Sequence, residues 1–246
     1  MPDEQPFYHV LADVYDLLFP VTAGQRCFFA DLVNEHHVAR ALDVACGSGG
    51  QAAMFRDLGL EVSALEYDAK MIELVRARGR EIDVRGGSMA DVASVFGPGF
   101  GMVICIGNSL PHLADLDEVR GAVDGMRSLL RPGGVLVLSI VNYDHVVRER
   151  ITHLPRKEVQ DAQGRAIVFE RFYDLSALPR TITFSTKLTV EGAAREASVP
   201  LLPISPEWLT SAVAGAGLTV VGRFAGFSRT PFGDKSMSLV LVARHP

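Results

Sequence analysis

Alternating small and apolar residues in Leu42-Asp43-Val44-Ala45-Cys46-Gly47-Ser48-Gly49 read as a buried strand that two glycines break into a tight turn. A backbone without Cβ tolerates positive φ and lets another group approach closely. Glu66 follows one strand later. In a doubly wound sheet, a glycine turn and a carboxylate at neighbouring strand ends lie where the tail and ribose of a nucleoside would rest. Gly47-Ser48-Gly49-Gly50-Gln51-Ala52 also satisfies Gly-x-Gly-x-x-Ala. A dinucleotide site and a turn without a ligand therefore both stay open at this point.

The rhythm around the turn sets the fold class. Ala41–Ala45, Glu61–Leu65, Ile82–Arg85, Met102–Ile106 and Val135–Val141 read as strands. Helical stretches fall between them at Gly50–Leu58, from Asp68 as cap to Gly79, and from Asp115 to Leu130. Asp115 and Glu118 resemble a capping box, and Arg131-Pro132-Gly133-Gly134 ends that helix. The region from about Gln5 to His36 reads as helix interrupted at Pro20. After Asn142, Arg165–Tyr173, Arg180–Val190 and Ala194–Leu201 read as strands without helices between them, a small antiparallel sheet inserted as a cover. A helix capped by Ser205 runs to Ala216, and strands at Leu218–Phe224 and Ser236–Ala243 follow. The expected architecture is α/β, a doubly wound, seven-stranded and mostly parallel sheet. Residues 1–246 form one domain, with an N-terminal helical cap over 1–38 and the antiparallel β lid over about 150–203.

The chain has 246 residues, 48% of them hydrophobic, enough for one large core. A net charge of −5 argues against a nucleic-acid surface, and no run of Lys and Arg offsets it. Cys27, Cys46 and Cys105 are too few for a disulfide framework, and their spacing matches no metal-ligand pattern, so no metal is expected. Met1-Pro2-Asp3-Glu4 lacks the basic and apolar runs of a signal peptide, and no apolar run reaches membrane length. The expectation is a cytoplasmic protein with a small-molecule partner, neither nucleic acid nor membrane; a homo-oligomer is compatible with this composition.

Three clusters carry the candidate chemistry. Around the turn, Asp43, Ala45, Gly47 and Gly49 are candidate cofactor-binding residues. Because the following helix starts with nothing suited to a pyrophosphate, a nucleoside without phosphates, S-adenosylmethionine, fits best. Glu66 can accept two ribose hydroxyls, with the alternative of a solvated strand-end acid. Tyr67 and Met71 follow it, and Ser88 and Met89 could flank the base. In the second cluster, Ile106, Gly107, Asn108 and Ser109 reach the carboxyl end of the fourth strand, where open sheets place ligands. The Asn108 amide oxygen or the Gly107 carbonyl could aim an amine lone pair, against the alternative of a plain Asx turn. His112 is a candidate base or a structural loop residue. In the third cluster, Asn142-Tyr143-Asp144-His145, Tyr143 could shape the pocket and donate a hydrogen bond, and Asp144 could cap a helix. Tyr15 is the candidate N-terminal lid residue, and Arg26 the nearest cation to it.

Together these clusters resemble class I S-adenosylmethionine-dependent methyltransferases, over roughly Tyr8 to Asp144. They are most similar to the glycine N-methyltransferase and sarcosine/dimethylglycine methyltransferase group. That group has a similar Leu-Asp-Val-Ala-Cys-Gly turn, a similar Gly-Asn-Ser segment and a similar Asn-Tyr-Asp-His. The resemblance implies that Glu66 binds ribose, Met71 packs on adenine, and Gly107 and Asn108 orient an acceptor amine. Val141 stands where glycine methyltransferases carry the arginine that holds the amino-acid carboxylate. A small acceptor other than glycine is therefore expected. A nicotinamide-dependent oxidoreductase and a nucleoside-binding domain without turnover are the rival readings.

Overall fold

The computed structural model describes residues 11–79 and 81–246. The part of the expected N-terminal helix before Leu11 lies outside them. In place of one interrupted helix there are a 3₁₀ turn at Ala12–Val14, α1 (Tyr15–Leu18) and α2 (Ala23–Glu35). Thr22 and Gln25 form a reciprocal capping box that starts α2 afresh after Pro20.

The alternation then proceeds as β1 (Arg40–Val44), α3 (Gly50–Asp57), β2 (Glu61–Glu66), α4 (Ala69–Ala77) and β3 (Ile82–Gly86). It continues through α5 (Val92–Val95), β4 (Phe100–Cys105), α6 (Leu116–Leu129), β5 (Leu130–Val141) and α7 (Tyr143–Arg148). Asp68 and Asp115 cap α4 and α6 as expected, but Glu118 reaches the amide of Ala114 rather than that of the cap residue. Arg131-Pro132-Gly133-Gly134 is not only a helix stop. Leu130 already pairs with Phe100, and the register slips before Met102 pairs with Val135. A Cβ on Gly134 would stand 2.9 Å from the Arg131 carbonyl oxygen, so the slip needs glycine there.

The insertion holds four strands, β6 (His153–Gln160), β7 (Ala166–Asp174), β8 (Ile182–Val190) and β9 (Ala193–Leu201), paired antiparallel in that order. Sequence reading expects three. β6 escapes because Pro155 and charged residues interrupt its pattern, which a strand tolerates only at an edge. The chain returns through α8 (Pro206–Gly215), β10 (Thr219–Phe224) and β11 (Ser238–Arg244).

The main sheet has the order β10-β11-β5-β4-β1-β2-β3, with β11 antiparallel to both neighbours. Successive residues feed opposite faces. Leu42, Val103 and Leu136 pack with α6 and α8, while Ala41, Met102 and Val135 pack with α2 and α3. Two cores on one sheet are what the double winding requires, and they bring the carboxyl ends of β1, β2, β4 and β5 to one edge. This is the fold of the class I methyltransferases.

Candidate cofactor and acceptor site

At that edge the strand β1 hands over to its turn through left-handed backbone: Ala45, Gly47 and Gly49 have φ of 58°, 56° and 80°. The Gly47 amide donates to Glu66 Oε2 at 2.7 Å. The other oxygen of Glu66 accepts the amides of Tyr67 at 2.8 Å and Asp68 at 3.0 Å. The buried Glu66 is therefore no solvated strand end but a clasp between β1 and β2. Gly49 answers to packing, since a Cβ there would meet Val75 Cγ2 at 2.9 Å.

Asp43 lies 2% exposed beneath the turn, accepting the Ala52 amide of α3, while its Oδ2 has no hydrogen-bond partner. Burial, then repulsion from Glu66, pushes its pKa up to about 8. Tyr15 covers the turn, its ring 3.4 Å from where a Cβ on Gly47 would stand. Burial and the Glu66, Asp43 and Asp16 carboxylates hold its phenol protonated, well above the usual range.

The strap carrying Tyr15 is tied down on both sides. Asp16 accepts from the Ser48 hydroxyl and from Arg78, whose Nε also donates to the Ser48 carbonyl at 2.6 Å. Asp13 pairs with Lys70 at 2.9 Å. On the lid side, Lys157 donates to the Leu18 carbonyl and lies 4.4 Å above the Phe19 ring, which meets Phe169 edge-on at 5.7 Å. Nothing in the sequence marks Asp16, Ser48 and Arg78 as site residues, because their contacts join separate segments.

Asn108 has a more constrained place than an open acceptor group. With φ of 70° it follows Gly107, whose φ is 83°. Its oxygen accepts the Val141 amide at 2.9 Å, and its nitrogen donates to the Tyr143 hydroxyl at 2.9 Å. The Asx-turn alternative gives way to a bridge from β4 to β5 and α7. Tyr143 is 1% exposed and packs against Tyr173 of the lid, ring centroids 6.2 Å apart. Val141 packs into the same apolar cluster. Asn142, not Asp144, caps α7, by accepting the His145 amide.

The remaining candidates spread outward. Met71 and Ile106 are buried, Met89 packs partly buried against the core, and Ser88 caps a 3₁₀ turn by accepting the Ala90 amide. Tyr67 is 83% exposed, and Arg26 is exposed on α2. Burial lowers the His112 pKa to about 4, so the ring is neutral above pH 5. Among the described residues, no group of three or more His, Cys, Asp or Glu could hold a metal ion, and no helix is long and apolar enough to cross a membrane.

Residues 41–134 match the family model described as a methyltransferase domain. Glycine N-methyltransferase of Mus musculus is 33% identical over 141 residues, covering 51% of this chain and 48% of that protein. The dTDP-3-amino-3,6-dideoxy-alpha-D-glucopyranose N,N-dimethyltransferase of Streptomyces fradiae is 31% identical over 134 residues, 52% of either chain. The chain thus spans about half the length of the curated relatives it matches. The CcbJ methyltransferase of Streptomyces caelestis superposes with a TM-score of 0.77 at 24% identity, covering 99% of both chains. The chain has the class I methyltransferase fold, and the sequence of its glycine-turn segment is similar to methyltransferase domains.

Proposed function

We propose that this protein transfers a methyl group from S-adenosylmethionine to the nitrogen of a small-molecule amine. The observation that carries the reading is the clasp of Glu66 on Gly47 above the unpartnered oxygen of Asp43. An acid clasped to the glycine turn suits a ribose, and the buried acid beneath it would ionise against an ammonium but gain nothing from the second phosphate of a dinucleotide. Bound there, S-adenosylmethionine would supply an electrophilic methyl group. Asp43 would hold the cationic tail, Glu66 the ribose edge, and Tyr15 would close over the turn, with Met71, Ser88 and Met89 toward the base. The rival nicotinamide reading is not favoured.

At the acceptor end, the Asn108 bridge fixes the Tyr143 hydroxyl and leaves the Gly107 carbonyl to aim the amine. Positioning of this kind can supply ~7–11 kcal/mol of barrier lowering. The amine enters neutral, and a His112 with pKa about 4 is too weak a base to deprotonate an alkylammonium. N-methylation is supported by relatives named for amine substrates, a glycine N-methyltransferase and an amino-sugar N,N-dimethyltransferase. Val141 supports an acceptor other than glycine. The free thiol of exposed Cys27 supports residence in the reducing cytoplasm.

Calorimetric titration with S-adenosylhomocysteine and with NAD tests the cofactor, and a labelled-methyl assay over a panel of amines tests the transfer. Tighter binding of NAD would end this reading.

A further inference from the structure

The lid strand β7 reaches from the strap over the glycine turn to the Asn108–Tyr143 bridge. Ile167, Phe169 and Tyr173 are buried, so the odd-numbered positions share its inward face. Phe169 meets Phe19, whose ring lies tilted, 5.0 Å from that of Tyr15 over the glycine turn. Tyr173 meets Tyr143 and, through it, Asn108. Between these two contacts, on the same face, stands Arg171.

Arg171 is a half-buried cation without a counterion among the described residues. Its Nη2 donates to the Pro155 carbonyl at 2.9 Å, where the β6–β7 register slips between Leu154 and Lys157. Its Nε is buried and has no partner, and its guanidinium lies 5.7 Å from the Phe169 ring. Lys157, close enough to repel it, donates to the Leu18 carbonyl and lies over the Phe19 ring. Neither cation enters an ion pair among the described residues, although the chain carries 29 acidic residues. Burial lowers the pKa of both, Lys157 with help from Arg171. Two such charges kept together at a cost suit a site that an anion completes.

We propose that Arg171 and Lys157 bind an anionic group, a phosphate or a carboxylate, on the methyl acceptor. The inference rests on the methyltransferase reading and narrows its substrate to amines bearing a negative charge remote from the nitrogen. Arg171 lies about 7 Å along β7 from Tyr173, two residues of strand rise. An anion held there is farther from an amine at Asn108 and Tyr143 than glycine's carboxylate is from its own nitrogen.

The test uses the whole chain saturated with S-adenosylhomocysteine, titrated calorimetrically with pyrophosphate and with glutarate. At least one should bind, and at least tenfold more weakly to Arg171→Met and to Lys157→Met. Lys157→Met keeps the Arg171–Pro155 bond and so separates recognition from support of the sheet. Pyrophosphate preference identifies a phosphorylated acceptor, and glutarate preference a carboxylic one. Binding of neither anion, or unchanged binding in both variants, overturns the proposal. So does loss confined to Arg171→Met and accompanied by a lower melting temperature, which marks a structural tie. Failure of S-adenosylhomocysteine to bind would instead strike the broader reading, and the anion titrations are then read on the chain alone.

Discussion

Asn108 and Tyr143 are joined at 2.9 Å, amide to hydroxyl, so the end of β4 dictates where the phenol of α7 stands. The same amide's oxygen takes the Val141 backbone amide, so both polar atoms of the Asn108 side chain are engaged within the protein.

Replacing Asn108 with Gly should therefore lower kcat about tenfold with little change in cofactor affinity, the worth of one positioning hydrogen bond. Asn108→Ala should do the same and also lower the melting temperature further, because φ of 70° costs a residue with Cβ about 1–2 kcal/mol. Steady-state kinetics and thermal melts of both variants check this. Normal turnover on the true acceptor would exclude the role.

Glu66→Ala should weaken S-adenosylhomocysteine binding tenfold or more and destabilise the apo protein as well. Three backbone amides lose their acceptor, each hydrogen bond to a charged group being worth ~1.5–3 kcal/mol. An unchanged dissociation constant by calorimetry would show the clasp serving the fold alone.

Asp43 gives a pH signature. An unfolded aspartate titrates near ~3.9, while the folded one titrates at about 8. Between these values the folded chain binds the extra proton. This group's contribution to stability is therefore full below about pH 4, falls as pH rises to about 8 and is constant above. Urea midpoints should show that decline, and Asp43→Asn should flatten it. The ammonium of a bound amino-acid tail beside Asp43 favours the ionised form, so binding of S-adenosylhomocysteine at pH 7 should release protons. Binding heats that do not vary with buffer ionisation enthalpy would contradict this.

Gly49→Ala should cost several kilocalories per mole, combining ~1–2 for positive φ with ~1–3 for the collision with Val75. Adding Val75→Ala should recover part of the loss, the collision but not the backbone strain. Denaturant melts of the double mutant measure that recovery, and no recovery would place the whole cost in the backbone.

Local pattern carried much of this far into the structure. The turn after β1 and the caps Asp68, Asp115 and Ser205 each announce themselves within a few residues and stand where expected, while β5 begins at Leu130, five residues before the expected Val135. The strand β6 did not, since an edge strand bears Pro155 and charges without penalty. The site divides in the same way. Glu66 and Asn108 were visible as strand-end residues, but their partners Gly47, Val141 and Tyr143 are set by packing across 19 to 35 positions. Arg171 shares a face with Phe169 and Tyr173, yet nothing in a lone strand says what that face looks upon.

The strap over the glycine turn has a kinetic consequence. Residues 13–19 hold the turn through Asp16 and the lid through Leu18 and Phe19, so a single segment forms a wall common to both ends of the cleft. On the proposed function, displacing it would open both compartments together, and traffic of the two ligands would be coupled: whichever arrived first would settle the wall against which the second must fit.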